Sequence, residues 1–415
     1  MSAALSRRAV LGGAAAALGL AATQPFAAMA SGATTTVRGP DGVLRAPDAN
    51  GLRLPPGFTS RVIGRAGLPV AGSQVPWHAF PDGAGTFATP DGGWILVSNS
   101  ENPPPTDIPG LASAGDGFGR VTAVRFRPNG TITSVRTILG PEVGARSLCA
   151  GGPTPWGTWL ACEEYEEAAT PATPFRAGRV FECDPFGVHP PVVRPALGRF
   201  KHEMATCDPD RRRIYLSEDQ PDGLLYRFTP KVWGNLSKGR LEAARVRPDG
   251  TIHWMLVLDP SAATVPLRHQ LPATRFDGGE GVLYADGVVY LSTKGDGRIW
   301  AHQVAANTIG ELYDPADVTS PVLNGVDNLQ IHPTRGDLYV AEDGDDMQIV
   351  GITPRRNLFV FAQATGPQHG IPSGGPVPTA SEITGIAFNP RGDRMYLSSQ
   401  RGFGLGITDE VRGPF

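Results

Sequence analysis

Short apolar runs that follow a Pro, Gly or Asp turn and end on acidic or amide residues recur along most of this chain. The first, Trp94-Ile95-Leu96-Val97, follows Pro90-Asp91-Gly92-Gly93 and stops at Ser98-Asn99-Ser100-Glu101. The others are Trp159-Leu160-Ala161-Cys162 before Glu163-Glu164, Ile214-Tyr215-Leu216-Ser217 before Glu218-Asp219, and Val288-Val289-Tyr290-Leu291 before Ser292-Thr293-Lys294. Leu338-Tyr339-Val340-Ala341 before Glu342-Asp343 and Met395-Tyr396-Leu397-Ser398 before Ser399-Gln400 complete the set. Apolar runs of this length bounded by turn residues read as strands. Helical periodicity is scarce.

Six copies spaced about 50 to 75 residues apart predict the blades of a β-propeller, since stacked repeats of one small unit bury a continuous core. A further strand follows most copies, as in Leu224-Leu225-Tyr226-Arg227-Phe228 and Arg298-Ile299-Trp300-Ala301-His302. The expected fold is therefore all-β, a single six-bladed propeller over residues 74–415. Residues 31–73 form an extended segment whose strand Ser60-Arg61-Val62-Ile63 pairs with Gly406-Ile407-Thr408, because an unclosed ring would leave open strand edges. If the repeated strands are those nearest the axis, their acidic ends gather at one mouth of the channel. That places a metal site on the axis.

Composition agrees. The 415 residues include 53 Gly and 40 Pro, which suits short strands and tight turns. Met1–Ala30 carries no acid and only Arg7 and Arg8 as charges, followed by an Ala/Gly/Leu run and Ala28-Met29-Ala30. This is the pattern of a twin-arginine export signal with a small-x-small cleavage site. The run is too short and too interrupted for a stable membrane span, which needs ~20 apolar residues. Without Arg7 and Arg8 the 37 basic residues become 35 against 40 acidic, with no basic tract, so nucleic acid is not an expected partner. An exported location, periplasmic or secreted, permits disulfides among Cys149, Cys162, Cys183 and Cys207. Buried thiols are the other reading.

Gathered carboxylates cannot all stay ionised without cations between them, and hard cations such as calcium take six to eight oxygen ligands. Glu101, Glu203, Asp219, Glu280, Asp327, Glu342 and Glu382 are candidate metal ligands, with Asn99 as an amide partner. Glu280 lies in Gly278-Gly279-Glu280-Gly281, where the glycines admit close backbone approach. Cys162 precedes Glu163-Glu164, and a thiolate beside carboxylates calls for a softer, multivalent metal such as iron. There is no GxxxxGK[ST] loop, HExxH helix or GxSxG elbow.

The stretch from Cys149 to Glu164 resembles the signature of the PhoX family of bacterial alkaline phosphatases. So do Phe200-Lys201-His202-Glu203, Asp327-Asn328-Leu329, Ala341-Glu342-Asp343-Gly344, Ser381-Glu382-Ile383-Thr384-Gly385 and Ser398-Ser399-Gln400-Arg401-Gly402, in family order from about Trp77 to Phe415. The resemblance implies Tat export, a six-bladed propeller and, in the phosphatase branch, two ferric and three calcium ions with a bridging oxide. It also implies that Cys162, Glu203 and Glu280 approach the iron pair. Glu101, Asp219, Asp327, Glu342 and Glu382 would then hold calcium or mixed metals, with Asn99 near phosphate. The chain is shorter than the phosphatases, has Asn99-Ser100-Glu101 where many have Asn-His-Glu, and lacks an arginine just before Glu280. The expected function is an iron- and calcium-dependent phosphomonoester hydrolase, a monomer acting on small phosphoesters. A calcium-dependent lactonase or esterase and a non-catalytic exported metal-binding propeller are the alternatives.

Overall fold

The computed structural model describes residues 35–36, 38–102, 118–166, 176–344, 346–370 and 381–415. The expected export signal, residues 1–30, lies outside them. Six sheets succeed one another along the chain, antiparallel throughout except where Thr35–Thr36 joins the fifth in parallel. Blade one comprises Pro81–Ala88, Trp94–Ser100, Val121–Phe126 and Ile132–Leu139. Blade two comprises Leu148–Pro153, Trp159–Glu163, Val180–Cys183 and Val192–Val193. Blade three has a fifth strand: His202–Asp208, Arg213–Glu218, Leu225–Val232, Asn235–Val246 and Ile252–Leu256. Blade four is Gly279–Ala285, Val288–Thr293, Arg298–Gln303 and Thr308–Tyr313.

Blade five is Val326–Ile331, Leu338–Glu342, Gln348–Ile352 and Asn357–Ala364, extended by Thr35–Thr36 and Leu52–Arg53. Blade six is composite. Ile383–Phe388, Arg394–Ser399 and Ile407–Arg412 come from the C-terminal end, and the early strand Thr59–Arg65 pairs antiparallel with Ile407–Arg412. The two ends of the chain thus close the ring with backbone hydrogen bonds. No helix among the described residues is long and apolar enough to cross a membrane.

The repeated apolar runs are the second strands of the blades. The expectation that they lie nearest the axis is corrected: the innermost strand of each blade is the segment before the run. The six innermost strands pack on one another in cyclic order around the channel. A second strand is covered on both faces by neighbouring blades, so it reads as an unbroken apolar stretch. In blade two, Trp159 and Ala161 enter the core shared with blade one, while Leu160 and Cys162 enter the core shared with blade three. Tyr215, Tyr290, Tyr339 and Tyr396 sit at matching places in four second strands and are buried.

Every innermost strand shifts register near its start. The breaks fall between Pro81 and Ala84, Leu148 and Gly151, His202 and Ala205, Gly279 and Val282, Val326 and Leu329, and Thr384 and Ala387. Such a bulge re-aims side chains that regular alternation would send between blades. Glycine permits the crowding at the axis: a Cβ on Gly83 would stand 2.3 Å from the Cα of Ala150.

Candidate metal centre

The bulges and the strand ends together build the site. In each of the first five blades, the first residue of the innermost strand pairs with the last residue of the second strand. The next residue on the innermost strand is Asp82, Cys149, Glu203, Glu280 or Asp327. All five line one cavity of about 510 Å³ at the axis. In blade six the matching residue is Thr384, whose hydroxyl donates to the carbonyl of Pro81, and Glu382 enters the cavity from two positions earlier.

A second tier comes from the residue just past each second strand: Glu101, Glu164, Asp219, Lys294, Asp343 and Gln400. Glu101, Glu164, Lys294 and Asp343 line the same cavity, joined by Arg401. The Gln400 amide donates to Asp82 Oδ2 at 2.6 Å and to Glu101 Oε2 at 2.7 Å. Lys201 Nζ lies 2.8 Å from Glu164 and 3.6 Å from Asp219. Lys294 Nζ lies 2.6 Å from Glu280 and 3.3 Å from Asp343, and Arg401 reaches Glu382 at 3.2 Å. Asn328 donates to Asp327 Oδ1 at 2.9 Å and accepts from the Gly385 N–H, tying blade five to blade six.

Glu101, Glu203, Glu280, Asp327 and Glu382, expected as ligands, therefore share one cavity, and Asp219 stands beside it on Lys201. Three expected residues do not reach it, for one physical reason. Asn99, Cys162 and Glu342 lie within second strands, whose side chains point between blades. Cys162 is fully buried in the apolar core of blades two and three. Glu342 accepts from the backbone N–H groups of Asn324 and Gln348 instead. Asn99 donates to the carbonyls of Cys149 (3.0 Å) and Ala150 (2.8 Å) and accepts from Trp159 Nε1, so it braces the bulge that carries Cys149. The sulfur in the site is Cys149. All four cysteines are buried free thiols, so no disulfide forms.

Asp82, Cys149, Glu164, Lys294, Asp343 and Arg401 complete the site beyond the expected ligands. The available signal was the residue one step past the end of each second strand, not the first polar residue after the apolar run, and the acid or thiol preceding a small residue in Asp82-Gly83 and Cys149-Ala150.

Burial dominates the electrostatics. It raises Asp82 to about 6, Glu164 to about 7 and Glu382 to about 8. Glu101, Glu203, Glu280 and Asp327 lie well above the ordinary carboxylate range, first through burial and then through neighbouring carboxylates. Burial and the same carboxylates raise the Cys149 thiol. Asp219 goes the other way: Lys294, a hydrogen bond with Glu164 and Lys201 together outweigh its burial.

Three groups of ligand atoms lie within 4.8 Å of one another: Asp82, Glu101 and Cys149; Cys149, Glu164 and Glu203; Glu203, Glu280 and Asp327. They share Cys149 and Glu203 and so form a continuous string. Asp82 Oδ1 and Glu203 Oε2 are buried without a hydrogen-bond partner. Buried anionic oxygens left unpaired are costly, and cations would satisfy them. The donor set therefore fits bound metal.

Residues 133–320 and 315–402 match the family described as alkaline phosphatase PhoX, together more than half of the chain. The chain belongs to the PhoX family. The fold is shared with PhoX of Pseudomonas fluorescens, solved in complex with vanadate, a transition state analogue. The two are 17% identical with a TM-score of 0.66, over 92% of this chain and 98% of that one. A gluconolactonase of Xanthomonas campestris is more distant: 12% identity and a TM-score of 0.43 over 94% of this chain and 99% of that one. No curated protein matches this PhoX-family sequence.

Proposed function

We propose that this chain is an exported, metal-dependent phosphomonoesterase acting on small phosphoesters. The observation that carries the reading is the buried string of acids with one thiol at the axis of a PhoX-family propeller, two of whose oxygens have no other partner. Oxygen-rich bays suit calcium, and the groups that contain Cys149 suit iron, because a thiolate is a softer donor. Asp82, Glu101, Cys149, Glu164, Glu203, Glu280 and Asp327 would hold these ions. When bound, such cations would neutralise charge on the phosphate and lower the pKa of a coordinated water.

The protein's own groups do the rest. Innermost-strand bulges fix the direction of each carboxylate, and the Gln400 amide holds Asp82 and Glu101 together. Arg401 and Lys294 supply positive charge at the cavity wall, where an anionic substrate would enter. Export by the twin-arginine route, into the periplasm or medium, is part of the same reading and rests on Arg7, Arg8 and Ala28-Met29-Ala30.

The test is hydrolysis of p-nitrophenyl phosphate by the full chain with and without iron and calcium. Metal-dependent turnover lost in a Cys149→Ala, Glu203→Ala double variant supports the reading. Turnover equal in the wild type and the double variant refutes it.

A further inference from the structure

In each of the first five blades the register shift sets two residues of the innermost strand, the first of them a cavity residue, opposite one residue of the second strand. That single residue is Asn99 in blade one, Ser217 in blade three and Ser292 in blade four, and all three are fully buried. Ser217 serves its own blade: its Oγ accepts from the Met204 N–H, next to Glu203, at 3.1 Å. Asn99 and Ser292 reach across to the next blade. The Asn99 amide donates to the doubled pair of blade two, to Cys149 O at 3.0 Å and Ala150 O at 2.8 Å. Trp159 Nε1 donates to Asn99 Oδ1 at 2.9 Å, which fixes the way the amide faces. Ser292 Oγ donates to Asp327 O of blade five at 2.6 Å and stands 3.3 Å from Gly281 O in its own blade.

We propose that Asn99 and Ser292 are positioning residues of the metal centre: each holds the bulged backbone of the next blade and so sets where Cys149 and Asp327 aim their ligand atoms. The inference rests on reading the site as a metal centre. A bulge leaves its extra residue out of the strand ladder, and its buried carbonyls need another donor. The side chain that supplies the donor also fixes the direction of the backbone. Neither Asn99 nor Ser292 lines the cavity, so each acts through the ligand it holds. The aim of a ligand in one blade is thus set from the blade before it. Partners one step out from metal ligands govern affinity in this way, and their loss costs about ten- to a hundredfold.

The experiment is titration of the purified full chain with iron and with calcium, read by visible absorption and equilibrium dialysis, on wild type, Asn99→Leu, Ser292→Ala and Ser292→Thr, with circular dichroism to check folding. Asn99→Leu keeps the size and loses both donors. It should weaken iron binding about tenfold or more and move the sulfur-to-iron absorption band. Ser292→Ala should weaken calcium binding by about tenfold and leave that band in place, and Ser292→Thr, which keeps the hydroxyl, should restore the affinity. A role in stability alone would lower the unfolding midpoint and leave the band and both affinities at wild-type values; that result overturns the proposal. Should Asn99→Leu not fold, Trp159→Phe removes only the N–H that orients the amide and should move the band the same way, and an unmoved band there overturns the assignment to Asn99. Wild type that binds neither iron nor calcium refutes the metal-centre reading itself.

Discussion

Glu163 and Glu164 are neighbours in the chain and face opposite ways. Glu163 turns between blades and accepts from the backbone N–H groups of Arg146 and Arg179 and from the Arg179 guanidinium, with Nε at 2.9 Å. Glu164 turns into the axial cavity, 2.8 Å from Lys201. The same division separates Glu342 from Asp343. The last residue of a second strand holds the blade together, and the next residue serves the site.

Substituting each of the two glutamates should therefore separate folding from metal binding. Glu163→Ala removes the carboxylate paired with the largely buried Arg179, and breaking such a pair costs about 3 kcal/mol. Its metal content per folded chain should match wild type. Glu164→Gln keeps a side chain of the same shape whose amide oxygen can still accept from Lys201, so it should cost less stability than Glu163→Ala, and it should lose metal. Denaturant unfolding and elemental analysis of the same preparations check both statements.

The two cysteines should divide in the same manner. Cys162→Ser puts a hydroxyl into an apolar core, at a cost of about 2 kcal/mol, and should leave any sulfur-to-iron absorption band of the loaded protein intact. Cys149→Ser should abolish that band with a small change in stability. Visible spectra of the iron-loaded variants decide; a band lost in Cys162→Ser and kept in Cys149→Ser would reverse the assignment.

How much of this was legible in the sequence follows from where each strand lies. Second strands are covered on both faces, so Trp94–Ser100 or Leu338–Glu342 stands out as an apolar run, and six of them announce the propeller. Innermost strands are crowded at the axis and rich in Gly and polar residues, so Pro81-Asp82-Gly83-Ala84-Gly85 reads as a turn although it is a strand. Asp82 and Cys149 were hidden for that reason. The register shifts have no signature of their own, and they decide which of two adjacent side chains meets the channel. Glu203 and Glu280 could be read because a distinctive motif surrounds each; Cys162 misled because its strand, ending in acids, resembles a site while its side chain belongs to the core.

Asp409 supplies a pH prediction away from the metal centre. It is fully buried in blade six, and neither carboxylate oxygen has a hydrogen-bond partner. Burial, and then the charge of Asp48, raise its pKa well above the ordinary value. A carboxyl whose folded pKa is raised binds its proton more tightly in the folded state. Its contribution to stability is thus full below the unfolded pKa and is lost as pH rises towards the folded one. Asp409→Asn should be more stable than wild type at neutral pH, by about 1–3 kcal/mol for relief of a buried unpaired group, and the gain should shrink as pH falls towards 4. Urea unfolding at several pH values would show it; a pH-independent difference would mean that Asp409 does not titrate between these limits.

Arg401 offers the sharpest link between the cavity and a phosphoester. Its side chain is 34% exposed and lines the cavity, with one guanidinium nitrogen on Glu382 at 3.2 Å. A guanidinium carries five N–H donors in a planar fork, which matches a phosphate better than a lysine does. One charge-assisted hydrogen bond is worth about 1.5–3 kcal/mol, or roughly ten- to a hundredfold in affinity. Arg401→Ala should therefore raise KM for p-nitrophenyl phosphate by about tenfold or more, with a much smaller change in kcat if the contact is made equally to substrate and transition state. Arg401→Lys should recover part of the charge but not the fork, and so fall between the two. A fall in kcat with KM unchanged would instead place Arg401 with the groups that hold Glu382 in position, acting on the metal ligands rather than on the substrate.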